Sequence, residues 1–217
     1  MLREATRADV MPLFERHHAY QGASNSMTYC FVVEHAGIVL AGFAWQPPPP
    51  GAAKSVCPEA PHAVLALSRM AAVPASERQH LTQSQGRHIS KPLHQQMHRQ
   101  IDRTRWPVLI TYSDESLNHD GYTYQCSGWT PTEKNLRPQY VDEHGARTST
   151  YTNGKHSREG LTLIGHAYVQ RWEHWACGRD EVATWLERHG WRHEVIPGKV
   201  WRSGNQAHRW VREHVDA

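Results

Sequence analysis

The run Val108-Leu109-Ile110-Thr111-Tyr112 constrains this chain most. It lies between the breaker Trp106-Pro107 and the polar stretch Ser113 to Asp120, and reads as a buried strand that ends in a loop. Gly121 to Ser127 then reads as a short helix, closed before Gly128-Trp129. Strand, loop and helix in that order point to an α/β fold.

The flanking sequence extends the pattern. Residues 2–5 form a short first strand. Thr6 N-caps a helix that carries Val10, Leu13 and Phe14 on one face and ends near Tyr20-Gln21-Gly22. Thr28 to Glu34 and Ile38 to Trp45 form a hairpin about His35-Ala36-Gly37. Pro47 to Pro50 stop the sheet in a stiff loop. Val64 to Val73 is the next strand. Ser90 to Arg105 reads as a helix, because Ile89, Leu93, Met97 and Ile101 recur every four residues.

After Pro131 the pattern weakens. Thr148 to Thr152 enters a turn at Asn153-Gly154, and Leu161 to Ile164 is a short strand. Asp180 to His189 is a helix capped by Gly190, and Trp191 to Ile196 a strand before the turn Pro197-Gly198. The expected architecture is a mixed central sheet flanked by helices. Residues 1–145 form the core, and residues 146–217 are a basic extension packed on the same domain.

A chain of 217 residues suffices for one domain with a proper core. No run of eighteen apolar residues occurs and the start lacks an apolar signal core, so a cytoplasmic protein without a membrane partner is expected. Cys30, Cys57, Cys126 and Cys177 include no C-x-x-C pair and read as reduced thiols. The net charge of +3 does not by itself indicate nucleic acid. Seventeen histidines, several beside arginine, form clusters that can face phosphates or simply lie on a solvated surface. His94 and His98 share a helical face but lack the glutamate of H-E-x-x-H, so no metal site is assigned.

With these motifs the chain resembles the GNAT N-acyltransferases. The resemblance implies that Met70, Ala71, Ala72 and Val73 offer backbone amides to the pantetheine arm of an acyl-CoA donor such as acetyl-CoA. It also implies that Gln83, Ser84, Gly86 and Arg87 cradle the pyrophosphate, with His88 standing where the family has a small residue. Tyr124-Gln125-Cys126-Ser127-Gly128-Trp129 is similar to the family's Tyr-x-x-x-Gly-Phe, whose tyrosine protonates the leaving thiolate. A packed helix residue is the other role open to Tyr124.

A narrower resemblance joins Leu67-Ser68-Arg69-Met70, Tyr112-Ser113-Asp114 and His119-x-Gly121-x-x-Tyr124 to the phage Mom DNA-modification family. That family places a carbamoylmethyl group on the exocyclic amine of adenine and so protects DNA from restriction nucleases. The resemblance covers about residues 64–130, with a weaker likeness through Arg147, Lys155, Lys199 and Arg202 in the tail.

Adenine's exocyclic amine is a weak nucleophile, so its acylation needs a base. Asp114 is the candidate, with His119 as the other. Capping the following turn is the alternative role for Asp114. Ser113, Ser68, Arg69 and Asn118 are candidates for orienting the substrates. An extruded base would stack on aromatic rings at ~1–3 kcal/mol each, with Tyr29, Tyr112, Tyr122 and Trp129 as candidates. Arg147, Lys155, Arg158, Arg171, Lys199 and Arg202 are candidates for phosphate contacts. DNA is therefore the expected partner, and a homodimer is an open assembly state. The competing readings are an N-acetyltransferase acting on an amino-modified thymine, a small molecule or a protein, and a non-catalytic DNA-binding protein.

Overall fold

The computed structural model describes residues 2–18, 27–77, 100–148, 151–152, 155–156, 158–200 and 206–212. In chain order its elements begin β1 (Leu2–Ala5), α1 (Arg7–His17), β2 (Tyr29–His35), β3 (Ile38–Gln46), α2 (Pro50–Val56), β4 (Val64–Ala72) and β5 (Val108–Asp114). They continue with α3 (Tyr122–Gln125), β6 (Thr130–Val141), β7 (Arg147–Thr148), β8 (Tyr151–Thr152), β9 (Lys155–His156) and β10 (Thr162–Trp175). The last are α4 (Val182–Arg188), β11 (Trp191–Val200) and β12 (Gln206–Arg212). Among the described helices none is long and apolar enough to cross a membrane.

Eight strands form one mixed sheet in the order β1-β2-β3-β4-β5-β10-β6-β7. Every neighbouring pair in it is antiparallel except β4 and β5. Alternation along the strands divides their side chains between two faces. One face buries Phe43, Trp45, Leu65, Leu67, Leu109, Trp129 and Trp172. On the other, α1 lays Val10, Leu13 and Phe14 over β2 and β3, and α2 and α4 lay Val56, Val182 and Leu186 over β4 and β5. Thr6 caps α1 as its sequence suggests. Its hydroxyl accepts from the Asp9 amide while the Asp9 carboxylate accepts from the Thr6 amide.

Four expectations are corrected. Pro50 begins helix α2 where a stiff loop was expected, because proline's missing N–H has no role in the first helical turn. Residues 100–105 are bend and turn rather than the end of a helix, although Ile101 is buried as expected. The rest of that expected helix lies outside the described residues. β6 and β10 are long strands where the pattern weakens, since much of β6 is exposed on both faces and shows no alternation. Pro197-Gly198 lies within β11, at a register irregularity between Val195 and Val200, and the unexpected β12 pairs with it.

β10 lies beyond residue 145, yet it is hydrogen-bonded between β5 and β6. The central sheet therefore draws on both stretches of the chain. The β11–β12 hairpin rests against the turn before β5. Trp191 Nε1 donates to Thr104 Oγ1 at 3.2 Å, and the Arg105 guanidinium lies over Trp106 and Trp191.

Candidate active site

β4 and β5 pair only from Val64↔Val108 to Ala66↔Ile110. Beyond that point β4 stays with β3 as far as Ala72, and β5 stays with β10 as far as Asp114. The divergence begins at Ser68. Ala44 faces Arg69 while Trp45 faces Leu67, so Ser68 is the extra residue of a β-bulge, which bends its strand. Ser68 Oγ donates to Ala44 O at 3.1 Å and stabilises the bulge. The two parallel strands thus form a fork.

The Val73 amide donates to Leu40 O at 2.8 Å. In an antiparallel ladder alternate residues bond the same neighbour, so the amides of Ala71 and Val73 belong to β3. Those of Met70 and Ala72 point into the fork. This corrects the expectation that all four residues offer amides to a donor.

Thr111 stands where the strands part. Its Oγ1 is 3.3 Å from Leu67 O and 3.3 Å from Tyr124 Oη, and its single proton serves one of them at a time. Tyr124 is buried, and burial pushes its phenol up to about 12. Its ring meets His119 at 5.2 Å, and Trp129 and Trp172 at 5.9 Å. Burial also lowers the pKa of His119, with Asp120 and Asp114 opposing it. At neutral pH that imidazole is uncharged and able to accept a proton.

Gly121 precedes α3 at φ +81°, and the Trp172 indole occupies the place a Cβ would take. This close approach seats Tyr124 against the sheet. Trp172 Nε1 donates to Ser113 Oγ at 2.9 Å, so the buried Ser113 hydroxyl helps to hold the core.

Asp114 occupies the cap position. Its Oδ1 accepts from the Ser116 amide at 2.9 Å and from the Ser116 hydroxyl. Its main-chain oxygen accepts from the His119 amide at 3.3 Å. Thr111 and Ser113 share the face of Tyr124 and Trp172, whereas Tyr112 and Asp114 alternate to the other. Asn118 follows with φ +54°, exposed at the end of the turn.

Other candidates lie elsewhere. Tyr112 packs on the α2 and α4 face beside Arg171. Trp129 is buried and stacked on Trp45, 6.4 Å between centroids, so it is a core residue rather than a platform for a base. Tyr29 packs at the core margin and accepts from Trp106 Nε1, while Tyr122 is 65% exposed. Arg69 donates to Ser68 O. Arg147 donates to Ser116 Oγ at 2.6 Å and to Ser116 O at 3.3 Å, tying β7 to the loop after β5. Lys155 lies on β9 and Lys199 on β11. Gln83, Ser84, Gly86, Arg87, His94, His98 and Arg202 lie outside the described residues.

Arg171 is buried and bonded, which corrects its expected phosphate contact. It donates to Glu173 at 2.9 Å and to Ser55 at 3.0 Å, and pairs with Glu133 at 2.7 Å. Glu173, 1% exposed, also accepts from Thr132 and Trp175 and lies 3.5 Å from Arg179. Thr111, Trp172 and Glu173 hold roles that no motif in the sequence marks. Period-two alternation through Leu109, Thr111 and Ser113 would have placed Thr111 on the Tyr124 face. No group of three or more metal-binding side chains occurs among the described residues.

No family profile and no curated protein matches the sequence. Several solved structures are similar in chain path. An acetyltransferase from Bacillus subtilis in complex with CoA has 10% identity and a TM-score of 0.46 over 81% of this chain and 96% of that one. An IAA acetyltransferase from Bacillus cereus has 12% identity and a TM-score of 0.47 over 80% of this chain and 99% of its own. A polyamine N-acetyltransferase from Drosophila melanogaster has 13% identity and a TM-score of 0.46 over 81% and 99%.

Proposed function

We propose that this chain transfers an acyl group from a coenzyme A thioester to an amine, and that the amine is the exocyclic amine of adenine in DNA. The fork between β4 and β5, with the Tyr124 phenol at its base, is the observation that supports the transfer. The amides of Met70 and Ala72 are suited to hold an extended amide-bearing arm, as a strand would. A thioester laid there brings its sulfur towards the fork.

The amine nitrogen attacks the thioester carbonyl, and His119 takes the proton the nitrogen sheds. As the carbon–sulfur bond breaks, Tyr124 gives its proton to the sulfur. Burial that raises the phenol also raises the basicity of a thiolate formed beside it, so the two groups stay matched. Asp114 acts by holding the Ser116 turn that positions His119.

The acceptor is read from the sequence. Leu67-Ser68-Arg69-Met70, Tyr112-Ser113-Asp114 and His119-x-Gly121-x-x-Tyr124 are similar to the DNA-modifying family, in which the transferred group is carbamoylmethyl. An acyl or carbamoylmethyl group on adenine would block restriction nucleases. A second reading, a small-molecule or protein amine as acceptor, is favoured by the placement of Trp129 in the core and Tyr112 on the opposite face, away from any extruded base. Nucleoside mass spectrometry of DNA from cells expressing the wild type and Tyr124→Phe distinguishes the two. A heavier deoxyadenosine in the wild type alone supports DNA modification. Unmodified DNA from cells containing folded wild-type protein favours the second reading.

A further inference from the structure

β4 and β5 part after Ala66↔Ile110, and Thr111 is the first β5 residue beyond that pair. Its side chain is buried, 2% exposed, on the face it shares with Ser113, Tyr124 and Trp172. A threonine hydroxyl has one proton to give and two lone pairs to accept with. Two oxygens compete for that proton. Leu67 O, on the first β4 residue beyond the pairing, lies 3.3 Å from Thr111 Oγ1, and the Tyr124 phenol oxygen lies 3.3 Å from it as well.

The two choices have opposite consequences for the phenol. While Thr111 donates to Leu67 O, its oxygen presents a lone pair to Tyr124, and the phenol proton has Thr111 as an acceptor. When the hydroxyl turns about its Cβ–Oγ bond and donates to the phenol oxygen, that acceptor is withdrawn, and the phenol proton is free for an acceptor in the fork. The second arrangement also favours loss of the proton, since a hydrogen bond to a charged oxygen is roughly twice as strong as one to a neutral oxygen. Burial pushes the phenol up to about 12, and the Thr111 hydrogen bond works against it. Only one hydroxyl has to rotate. The rings of His119, Trp129 and Trp172 already pack against the Tyr124 ring.

We propose that Thr111 is a positioning residue for the acyl transfer. Its hydroxyl turns from Leu67 O to the Tyr124 oxygen as the carbon–sulfur bond breaks, leaves the phenol proton to the departing sulfur and holds the phenolate that remains. The proton that moves is the phenol's, from Tyr124 Oη to the thiolate, and Thr111 keeps its own. The inference rests on the reading of Tyr124 as the acid and holds for any amine acceptor.

Steady-state kinetics with acetyl-CoA, and with duplex DNA or spermidine as the acceptor, test it in Thr111→Val and Thr111→Ser. Valine keeps the branched shape without the hydroxyl, and serine keeps the hydroxyl without the branch. Thr111→Val should lower kcat about tenfold at unchanged donor KM, and Thr111→Ser should restore most of it. In a Tyr124→Phe background, Thr111→Val should cost nothing further, because the two residues act as one unit. A wild-type kcat in Thr111→Val overturns the inference and leaves Tyr124 as the acid. So does an equal loss in valine and serine variants, or the same loss with and without the phenol, since either assigns Thr111 to packing alone. A wild-type rate in Tyr124→Phe, or no turnover with either acceptor, overturns the reading of the site and the inference with it.

Discussion

Two side chains carry the proposed chemistry, and each makes a prediction of its own. Tyr124 keeps its shape but loses its proton in Tyr124→Phe. Because a positioned acid contributes ~10²–10⁴-fold, kcat should fall by at least ~10²-fold while donor KM stays unchanged. Steady-state kinetics with varied acyl-CoA would show this. For His119 the pH profile is diagnostic. Burial lowers its pKa below the ordinary 6.5, so the neutral, proton-accepting form persists at pH values where a free imidazole is charged. kcat/KM should hold steady down to below pH 6.5 and then fall, and His119→Ala should abolish that acid limb. The same shift has a linkage consequence. Below pH 6.5 the unfolded chain takes up a proton that the folded chain resists, so this part of the stability is lost as pH falls towards the folded pKa. Asp114 illustrates a limit of sequence. Its place at the end of a buried strand suits a base or a turn cap equally, and only the hydrogen bonds to Ser116 show the cap.

Among the elements, the short helix α3 depends on Gly121. A Cβ there would meet the Trp172 indole while the backbone sits at positive φ. Gly121→Ala should cost about 1–3 kcal/mol or more and shift Tyr124, detectable as a lower denaturation midpoint and a lower kcat. The elements that the sequence made legible are those whose burial is one-sided or complete. α1 shows Val10, Leu13 and Phe14 at helical spacing, and β5 opens on the apolar run Val108-Leu109-Ile110 and is buried along most of its length. β6 was hidden because most of its residues are exposed and Pro131 and Pro138 interrupt it. The fork was hidden for another reason. It arises from a one-residue bulge at Ser68, a matter of register between β3 and β4 that neither strand's own sequence displays.

At the scale of the whole molecule, the sheet is completed by β10, and Glu173 anchors that strand. Its carboxylate gathers Arg171, Thr132, Trp175 and Arg179, and through Arg171 reaches Glu133 on β6 and Ser55 on α2. Glu173→Ala leaves Arg171 with the half-exposed Glu133 as its remaining carboxylate and takes the acceptor from the Trp175 N–H. Stability should fall by about 1–3 kcal/mol in chemical denaturation, and the strand that holds Trp172 against α3 should loosen. The sequence offered Arg171 as one more surface cation, since a buried arginine is recognised only once its carboxylate partners are located. Tyr124, α3 and β10 all serve acyl transfer at the fork. The most direct measurement is the release of free coenzyme A thiol from acetyl-CoA, with and without duplex DNA, by wild type and Tyr124→Phe. Thiol release should require DNA in the wild type and be at least ~10²-fold slower in the variant. Equal rates in the two proteins, or no release with DNA or any small amine, would contradict it.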